Sequence, residues 1–251
     1  MEQLARTEST RPRREAEEPL VPPLPSPWIA SPARAACRIW FKRWFELDLV
    51  GQRHIPARGP AIIIPNHPTY VDPWLVGLGT RRWITWMAWE DAFRWPVFGA
   101  VIRSMGAFPV NLDRPRPSTI KAAVRVLGQG RLLGLFFEGG RTAGADPLDP
   151  PRRGGARLAL MAGVPVIPVS ISGARRLWPR DRLVPGQGKV VIRYHPPIDP
   201  SAVLPGEPGR AREERLTELV CAAIRSALPA DGRPRRRRGR ELGPGDALHA
   251  L

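Results

Sequence analysis

A histidine and an aspartate stand five positions apart in the stretch Asn66-His67-Pro68-Thr69-Tyr70-Val71-Asp72-Pro73. An imidazole that titrates near neutrality can take a proton from a hydroxyl, and a carboxylate on one ring nitrogen leaves the other free to do so. On one continuous helix the two residues would be separated by roughly 140° at ~3.6 residues per turn and would not meet. The flanking residues offer another arrangement. Ala61–Ile64 is a short, mostly β-branched apolar run closed by Pro65, which reads as a buried strand that stops abruptly. Trp74–Leu78 is a second apolar stretch, helical if Asp72 caps it and Pro73 takes its first position. His67 in the loop and Asp72 at the helix start could then fold back onto each other. The same residues also admit a plainer reading, in which Asp72 only caps the helix and His67 is a hydrogen-bonded loop residue.

The elements around this corner alternate. A strand is expected near Leu47–Gln52, a turn at Ala57-Arg58-Gly59-Pro60, and another strand over Trp83–Ala88. Trp86, Trp89 and Phe93 then fall at helical spacing in an aromatic segment broken by Pro96 and Gly99, read as core packing or as an acyl-chain or lipid contact. Strands over Ala107–Leu112, Arg131–Phe137, Val164–Ile171 and Lys189–His195 are interleaved with helices over Ser118–Gln129, Arg153–Ala162 and Pro208–Ala227. The helix at Ser118–Gln129 would be apolar at Ile120, Ala123, Val124 and Leu127. Strands separated by single helices argue an α/β fold with a mostly parallel sheet flanked by helices. In such folds sites lie beyond the carboxyl ends of strands. His67 occupies one such end, and the loop Glu138-Gly139-Gly140-Arg141-Thr142 occupies another, so two polar loops would face one crevice.

With 251 residues and 43% apolar content, one core and one domain are expected, spanning residues 28–228. Residues 1–27 are charged and then proline-rich and read as a disordered leader; residues 229–251, with Arg235 to Arg238 in series, read as a disordered basic tail. Residues 28–47 read as an amphipathic helix, with Cys37, Trp40, Phe41, Trp44 and Phe45 on one face and Arg34, Arg38 and Lys42 on another. Such a helix covers a core, or lies in a membrane interface with Trp40, Phe41 and Trp44 inserted. The net charge is +16; residues 1–35 balance five Arg against five acids and residues 229–251 carry six Arg against three acids, so the middle holds +13. An anionic partner follows, either nucleic acid, a membrane surface or a phosphorylated substrate. The basic residues are scattered without a recognisable binding module, which argues against nucleic acid. Cys37 and Cys221 stand far apart, indicating neither a disulfide framework nor a zinc site and fitting a reducing compartment. No basic stretch followed by an apolar one opens the chain and no run of about 18 apolar residues occurs, so neither a secretion signal nor a simple transmembrane span is expected.

Four blocks in order resemble the lysophospholipid and glycerol-phosphate acyltransferase family. Asn66-His67 with Asp72 matches its His-x4-Asp motif, and Gly106-Ala107-Phe108-Pro109-Val110 resembles its second block. That block normally ends in an arginine, for which Arg114 and Arg116 are rivals here. Phe136-Phe137-Glu138-Gly139-Gly140-Arg141-Thr142 is similar to the family's Phe-Pro-Glu-Gly-Thr-Arg-Ser, with Phe137, Gly140 and Thr142 departing. Val164-Pro165-Val166-Ile167-Pro168-Val169 resembles the last block, and Arg153-Gly154-Gly155-Ala156 its lead-in. The resemblance covers about residues 50–175 and implies direct transfer of an acyl group from a thioester to a lysophospholipid, 1-acylglycerol-3-phosphate first among acceptors. Another glycerolipid acceptor, or a non-catalytic lipid-binding homologue, are the alternatives.

In that mechanism His67 is the general base and Asp72 fixes its tautomer, with no nucleophilic serine. Arg141 and Arg114 or Arg116 would hold the acceptor phosphate, Glu138 would bind the acceptor's hydroxyls or order the arginines, and Gly139 would be a further substrate-binding residue. The resemblance makes Pro168 a donor-side candidate. No cofactor or metal is implied, only acyl-CoA or an acyl carrier protein thioester as co-substrate, and the expected location is the cytoplasmic face of the cell membrane, held peripherally. Other enzyme classes lack their signatures: there is no Gly-x-Ser-x-Gly elbow, Walker loop or His-Glu-x-x-His pair. Gly128-Gln129-Gly130 with Gly134 leads from helix into strand, the reverse of a dinucleotide fingerprint.

Overall fold

The apolar run Ala61-Ile62-Ile63-Ile64-Pro65 is a strand buried at every residue, because the sheet it joins is covered on both faces. Alternation divides it: Ala61 and Ile63 pack into one core and Ile62 and Ile64 into the other. The computed structural model describes residues 21–112, 114–142, 146–178 and 184–229. The strands are β1 (Phe45–Val50), β2 (Ala61–Pro65), β3 (Ile84–Trp89), β4 (Phe108–Val110), β5 (Leu132–Gly134), β6 (Val166–Ser172) and β7 (Gly188–Tyr194). They form one seven-stranded sheet in the order β1-β7-β6-β2-β5-β3-β4. β6, β2, β5, β3 and β4 run parallel, whereas β7 is antiparallel to β6 and β1 pairs parallel with β7. Among the described residues, the link between β6 and β7 carries the one-turn helix α6 (Ala174–Leu177) and no full crossover helix, which fits a chain that returns antiparallel beside β6.

Helices cover both faces. α1 (Pro27–Trp44), α2 (Asp72–Gly77) and α3 (Pro96–Ser104) lie over the core of Phe41, Phe45, Leu75, Trp86, Phe93 and Ile102. α4 (Pro117–Gly128), α5 (Gly154–Ala162) and α7 (Gly209–Ala227) close the core of Ala123, Val126, Leu127, Leu158, Leu216 and Ile224. Full burial of each large apolar side chain contributes about 1.5–3 kcal/mol. The α/β fold with a mostly parallel sheet flanked by helices is therefore the one the alternation implied.

Several expectations change. Residues 1–20 of the leader and 230–251 of the tail lie outside the described residues, but residues 21–26 are placed against the body: Val21 packs on the second core and the Pro22 carbonyl accepts from Arg131 at 2.8 Å. α1 ends at Trp44, and Phe45 opens β1. Its aromatic face is divided: Phe41 and Phe45 are buried and the Trp44 indole N–H donates to the Pro185 carbonyl at 3.1 Å, while Trp40 stays 46% exposed. Arg34 leaves the supposed headgroup face to donate to the carbonyls of Thr80 and Arg81, at 3.0 and 3.1 Å, and lies over the Trp83 ring. Phe41 and Trp44 are thus not free to enter a bilayer.

Trp86 and Trp89 belong to strand β3, so their three-residue spacing is not helical. Pro96 starts α3 instead of breaking a helix, as its missing N–H costs nothing in a first turn. In α4 the buried stripe runs through Ala122, Ala123, Val126 and Leu127, leaving Val124 exposed.

Candidate active site

β2 ends at Pro65, and the next residue holds the corner in place of a strand. The Asn66 amide donates to the Ile171 carbonyl at 3.1 Å and accepts from the Ile171 N–H at 2.7 Å, so the side chain extends the β2–β6 ladder beyond the backbone. His67 follows, tied down on both sides of its peptide: its N–H donates to Glu138 Oε1 at 2.8 Å and its carbonyl accepts from the Thr142 N–H at 2.9 Å. The loops after β2 and after β5 are thereby clamped together, as expected of two strand ends facing one crevice.

The ring of His67 then meets Asp72: Nδ1 lies 2.7 Å from Asp72 Oδ2. Asp72 is wholly buried and is the first residue of α2, with Val71 at the cap position, so the cap expected of it does not form. Its carboxylate instead receives three donors: Thr69 N–H at 2.7 Å, Thr69 Oγ1 at 2.5 Å, and the imidazole. A buried anion held this way can only accept, so Nδ1 carries the ring proton and Nε2 is left as the free base. The His67 side chain is 16% exposed, enough for one ring edge to reach a bound hydroxyl.

The face of the imidazole is covered by Phe136, with ring centroids 3.8 Å apart and planes 16° from parallel. Phe136 stacks in turn on Trp86, at 5.1 Å and 13°. Trp86 lies flat over Gly134, its partner in the β3–β5 register; a Cβ at residue 134 would fall 2.4 Å from the indole. Trp86 also forms one wall of an apolar cavity of about 120 Å³, lined further by Cys37, Trp74, Leu78, Trp83 and Met105.

Glu138 is buried with both carboxylate oxygens engaged, by the His67 N–H, the Thr142 hydroxyl (2.9 Å) and the Asp149 N–H (2.8 Å). Burial pushes its carboxyl above the usual range, against the pull of those three donors. Its role is to brace the loop. Thr142 supplies the hydroxyl that the family's serine would, so that departure keeps its chemistry. Gly139 has φ +73°, a turn conformation that favours glycine, and a Cβ there would lie 2.4 Å from Nε of Arg152.

Arg141 packs its guanidinium 3.6 Å above the centre of the Tyr70 ring and donates to the Tyr70 hydroxyl at 2.7 Å. It therefore stands beside the His-x4-Asp loop, with its charge held by an aromatic face. The arginine rivals separate: Arg116 precedes α4 and pairs with Glu90 at 3.5 Å, while Arg114 is exposed, its N–H on Asn111 Oδ1 at 2.8 Å. Pro168 is a buried rung of β6 opposite Ile64, and its carbonyl accepts from the His195 N–H at 2.9 Å. A sheet role accounts for it. Arg153 turns away to Glu214 of α7 at 2.7 Å.

Sequence reasoning missed Thr69, Tyr70, Phe136 and Arg152. Arg152 bonds the Phe137 carbonyl through its N–H at 2.7 Å and the Leu112 carbonyl through its guanidinium, tying the second block's loop to the third's. Tyr70 and Thr69 could have been found, since both lie between the histidine and the aspartate; Phe136 opens the third block with no role attached to it, and nothing in the spacing marks Arg152.

A loop histidine buttressed by a buried carboxylate at the end of a parallel strand, with an arginine-bearing Glu-Gly loop beside it, defines a site for proton abstraction next to an anionic group. The chain belongs to the acyltransferase family, whose model matches residues 46–172, about half its length. Among curated relatives it is 31% identical over 128 residues to the 1-acyl-sn-glycerol-3-phosphate acyltransferase of Bacillus subtilis, covering 51% of this chain and 63% of that one. It is 27% identical over 156 residues to the enzyme of the same name from Borreliella burgdorferi, covering 61% and 62%. The chain thus spans less than two thirds of the length of these relatives. Its fold matches the crystal structure of the 1-acyl-sn-glycerophosphate acyltransferase PlsC from Thermotoga maritima, with TM-score 0.65, 24% identity and coverage of 79% of this chain and 78% of that one.

Proposed function

We propose that the protein transfers a fatty acyl group from an acyl thioester to the free hydroxyl of a lysophospholipid, converting 1-acylglycerol-3-phosphate to phosphatidate. The observation that carries this reading is the 2.7 Å contact of His67 Nδ1 with buried Asp72, which leaves Nε2 as the base. The acceptor hydroxyl gives its proton to Nε2 as its oxygen attacks the thioester carbonyl; the carbon–sulfur bond then breaks, and the imidazolium returns the proton to the departing thiolate. Asp72 stabilises the imidazolium throughout.

Arg141 faces the acceptor phosphate, with exposed Arg114 the second candidate and Arg116 already engaged by Glu90. The names of the relatives support the acceptor, and the apolar cavity beyond Phe136 suits part of an acyl chain. The donor is acyl-CoA or an acyl carrier protein thioester, with no cofactor, and the protein works peripherally at the cytoplasmic face of a membrane. A second reading, another glycerolipid acceptor, is favoured by Gly140, where the family carries threonine and a Cβ would meet nothing within 4 Å.

Incubation of the purified protein with labelled acyl donors and a panel of acceptors, read by mass spectrometry, tests both readings. Phosphatidate formed by the unmodified chain and not by His67→Ala is the expected result. Equal use of monoacylglycerol and lysophosphatidate would overturn the phosphate reading, and no product from any acceptor would leave a lipid-binding homologue.

A further inference from the structure

Helix α3 is apolar on both sides. Toward the sheet it buries Gly99 and Ile102, with Phe98 half-buried; away from it Val97 and Val101 stand 79% and 38% exposed, with Ala100 exposed between them. Positions three and four apart on a helix form one continuous stripe, and a helix apolar all round is one that is covered on both sides. Aromatic rings extend the stripe toward the site. Trp95, 43% exposed, meets Phe98 at 5.7 Å and Trp89, 45% exposed, at 6.4 Å. Phe98 meets Tyr70 at 6.3 Å, and Tyr70 carries Arg141. The charges border this patch: Arg94 at one end, paired with Asp91 at 3.2 Å, and Arg103 at the other, over the Phe93 ring.

We propose that the ridge of Trp89, Trp95, Val97 and Val101 is the surface on which the protein rests on an anionic lipid bilayer, with Tyr70 and Arg141 held level with the headgroups. Tryptophans with one apolar edge and one polar N–H suit the membrane–water boundary, and flanking arginines suit anionic headgroups. The valines reach only the shallow acyl region. Among the described residues no helix is long and apolar enough to cross a membrane. A second copy of this chain fits less well, because a symmetric contact through the ridge would set Arg94 and Arg103 against their own copies. α1 is the other candidate, with Trp28, Ile39 and Trp40 exposed, but it spends Phe41 and Trp44 on the protein's own body, and among the described residues no aromatic contacts link it to the Tyr70–Arg141 pair as they link the ridge.

The position of the ridge gives it a purpose, and this part rests on the function proposed above. A lysophospholipid keeps its chain in the bilayer while its hydroxyl and phosphate lie at the surface, and the ridge places the mouth of the site at that level. The +16 chain is drawn to the same surface over a longer range.

The test uses the full chain carrying Val97→Asp and Val101→Asp together, with Trp95→Ser as a second variant and thermal melts to establish folding. Co-sedimentation with vesicles of equal parts phosphatidylcholine and phosphatidylglycerol should weaken by about tenfold or more in the ridge variants. Trp28→Asp with Ile39→Asp, on the exposed side of α1, should bind as the unmodified chain does. Transfer to lysophosphatidate in vesicles should fall in the ridge variants, while transfer to a short-chain, water-soluble lysophosphatidate should not. Unchanged vesicle binding in folded ridge variants would overturn the proposal, as would loss of binding from the α1 variant alone or loss of self-association without loss of vesicle binding. If the unmodified chain transfers to neither acceptor, the proposed function fails, and sedimentation still decides the ridge.

Discussion

The imidazole of His67 lies flat on the ring of Phe136, 3.8 Å between centroids, while Asp72 holds it at its edge. In the proposed reaction the ring gains a proton, and the carboxylate and the π-face would both stabilise the new charge. A cation over an aromatic face is stabilised by about 0.5–2 kcal/mol, a factor of about 2–30 in turnover. Phe136→Leu should lower kcat by that factor with KM for both substrates nearly unchanged. Stepwise fluorination of Phe136, which alters the π-face far more than the size, should lower kcat in graded steps. Flat kcat across the fluorinated series would reduce Phe136 to packing.

His67→Ala should abolish transfer without loss of folding, because the ring occupies a crevice and its backbone bonds to Glu138 and Thr142 survive the change. A circular dichroism melt beside a transfer assay checks both halves. Near-normal turnover would end the mechanism.

Asp72→Asn has two expected costs. Kinetically, the tautomer that frees Nε2 is no longer enforced, and kcat should drop on the order of 10³-fold or more. Structurally, an amide cannot accept from Thr69 N–H, Thr69 Oγ1 and His67 at once; its NH2 would face the Thr69 hydroxyl, whose proton loses its acceptor, and a buried donor left unpaired costs about 1–3 kcal/mol. Urea unfolding should therefore shift to lower midpoint alongside the rate.

Arg141→Ala should raise KM for lysophosphatidate by about 10–100-fold, the loss of a charge-assisted contact, and leave KM for the acyl donor nearly unchanged. Tyr70→Phe removes the hydroxyl that receives Arg141 but keeps the ring beneath it, so its KM should rise less. Equal KM changes for both substrates in Arg141→Ala would move that arginine off the acceptor side.

His195 sets a pH limit on the fold. Burial, with the charges of Arg193 and His54, lowers its pKa to about 4. The Ser170 hydroxyl donates to the Ile224 carbonyl, so its oxygen accepts from His195 Nε2, 2.7 Å away, and the ring is held neutral. As pH falls from about 6.5 the unfolded chain takes up this proton first, so stability present near neutrality is lost progressively toward pH 4. Urea midpoints at about pH 7.5 and pH 5 should differ in that direction, and His195→Gln should narrow the gap.

The corner at residues 61–74 was legible because the apolar run, its closing proline and the His–Asp spacing are local facts. The alternation of elements likewise gave the parallel sheet, though not the reversal at β7, which depends on where a long link lets the chain land. α1 was legible as amphipathic but not in the use of its aromatic face, since Phe41 and a membrane-seeking phenylalanine look alike in one dimension. The roles of Phe136 and Arg152 were invisible for a related reason: they come from partners on other strands and loops.

Gly134 never approaches the reacting atoms, yet Trp86, Phe136 and His67 form a column whose foot rests on its missing side chain. A single methyl added there must tilt the indole, and close-packed rings have no slack in which to absorb the tilt. The attitude of the imidazole is thus set in part by a hydrogen atom two rings away. An engineer refilling this core with bulkier aliphatic residues would gain buried area at β5 and lose the alignment of the base, so position 134 should be held as glycine in any redesign that keeps the chemistry.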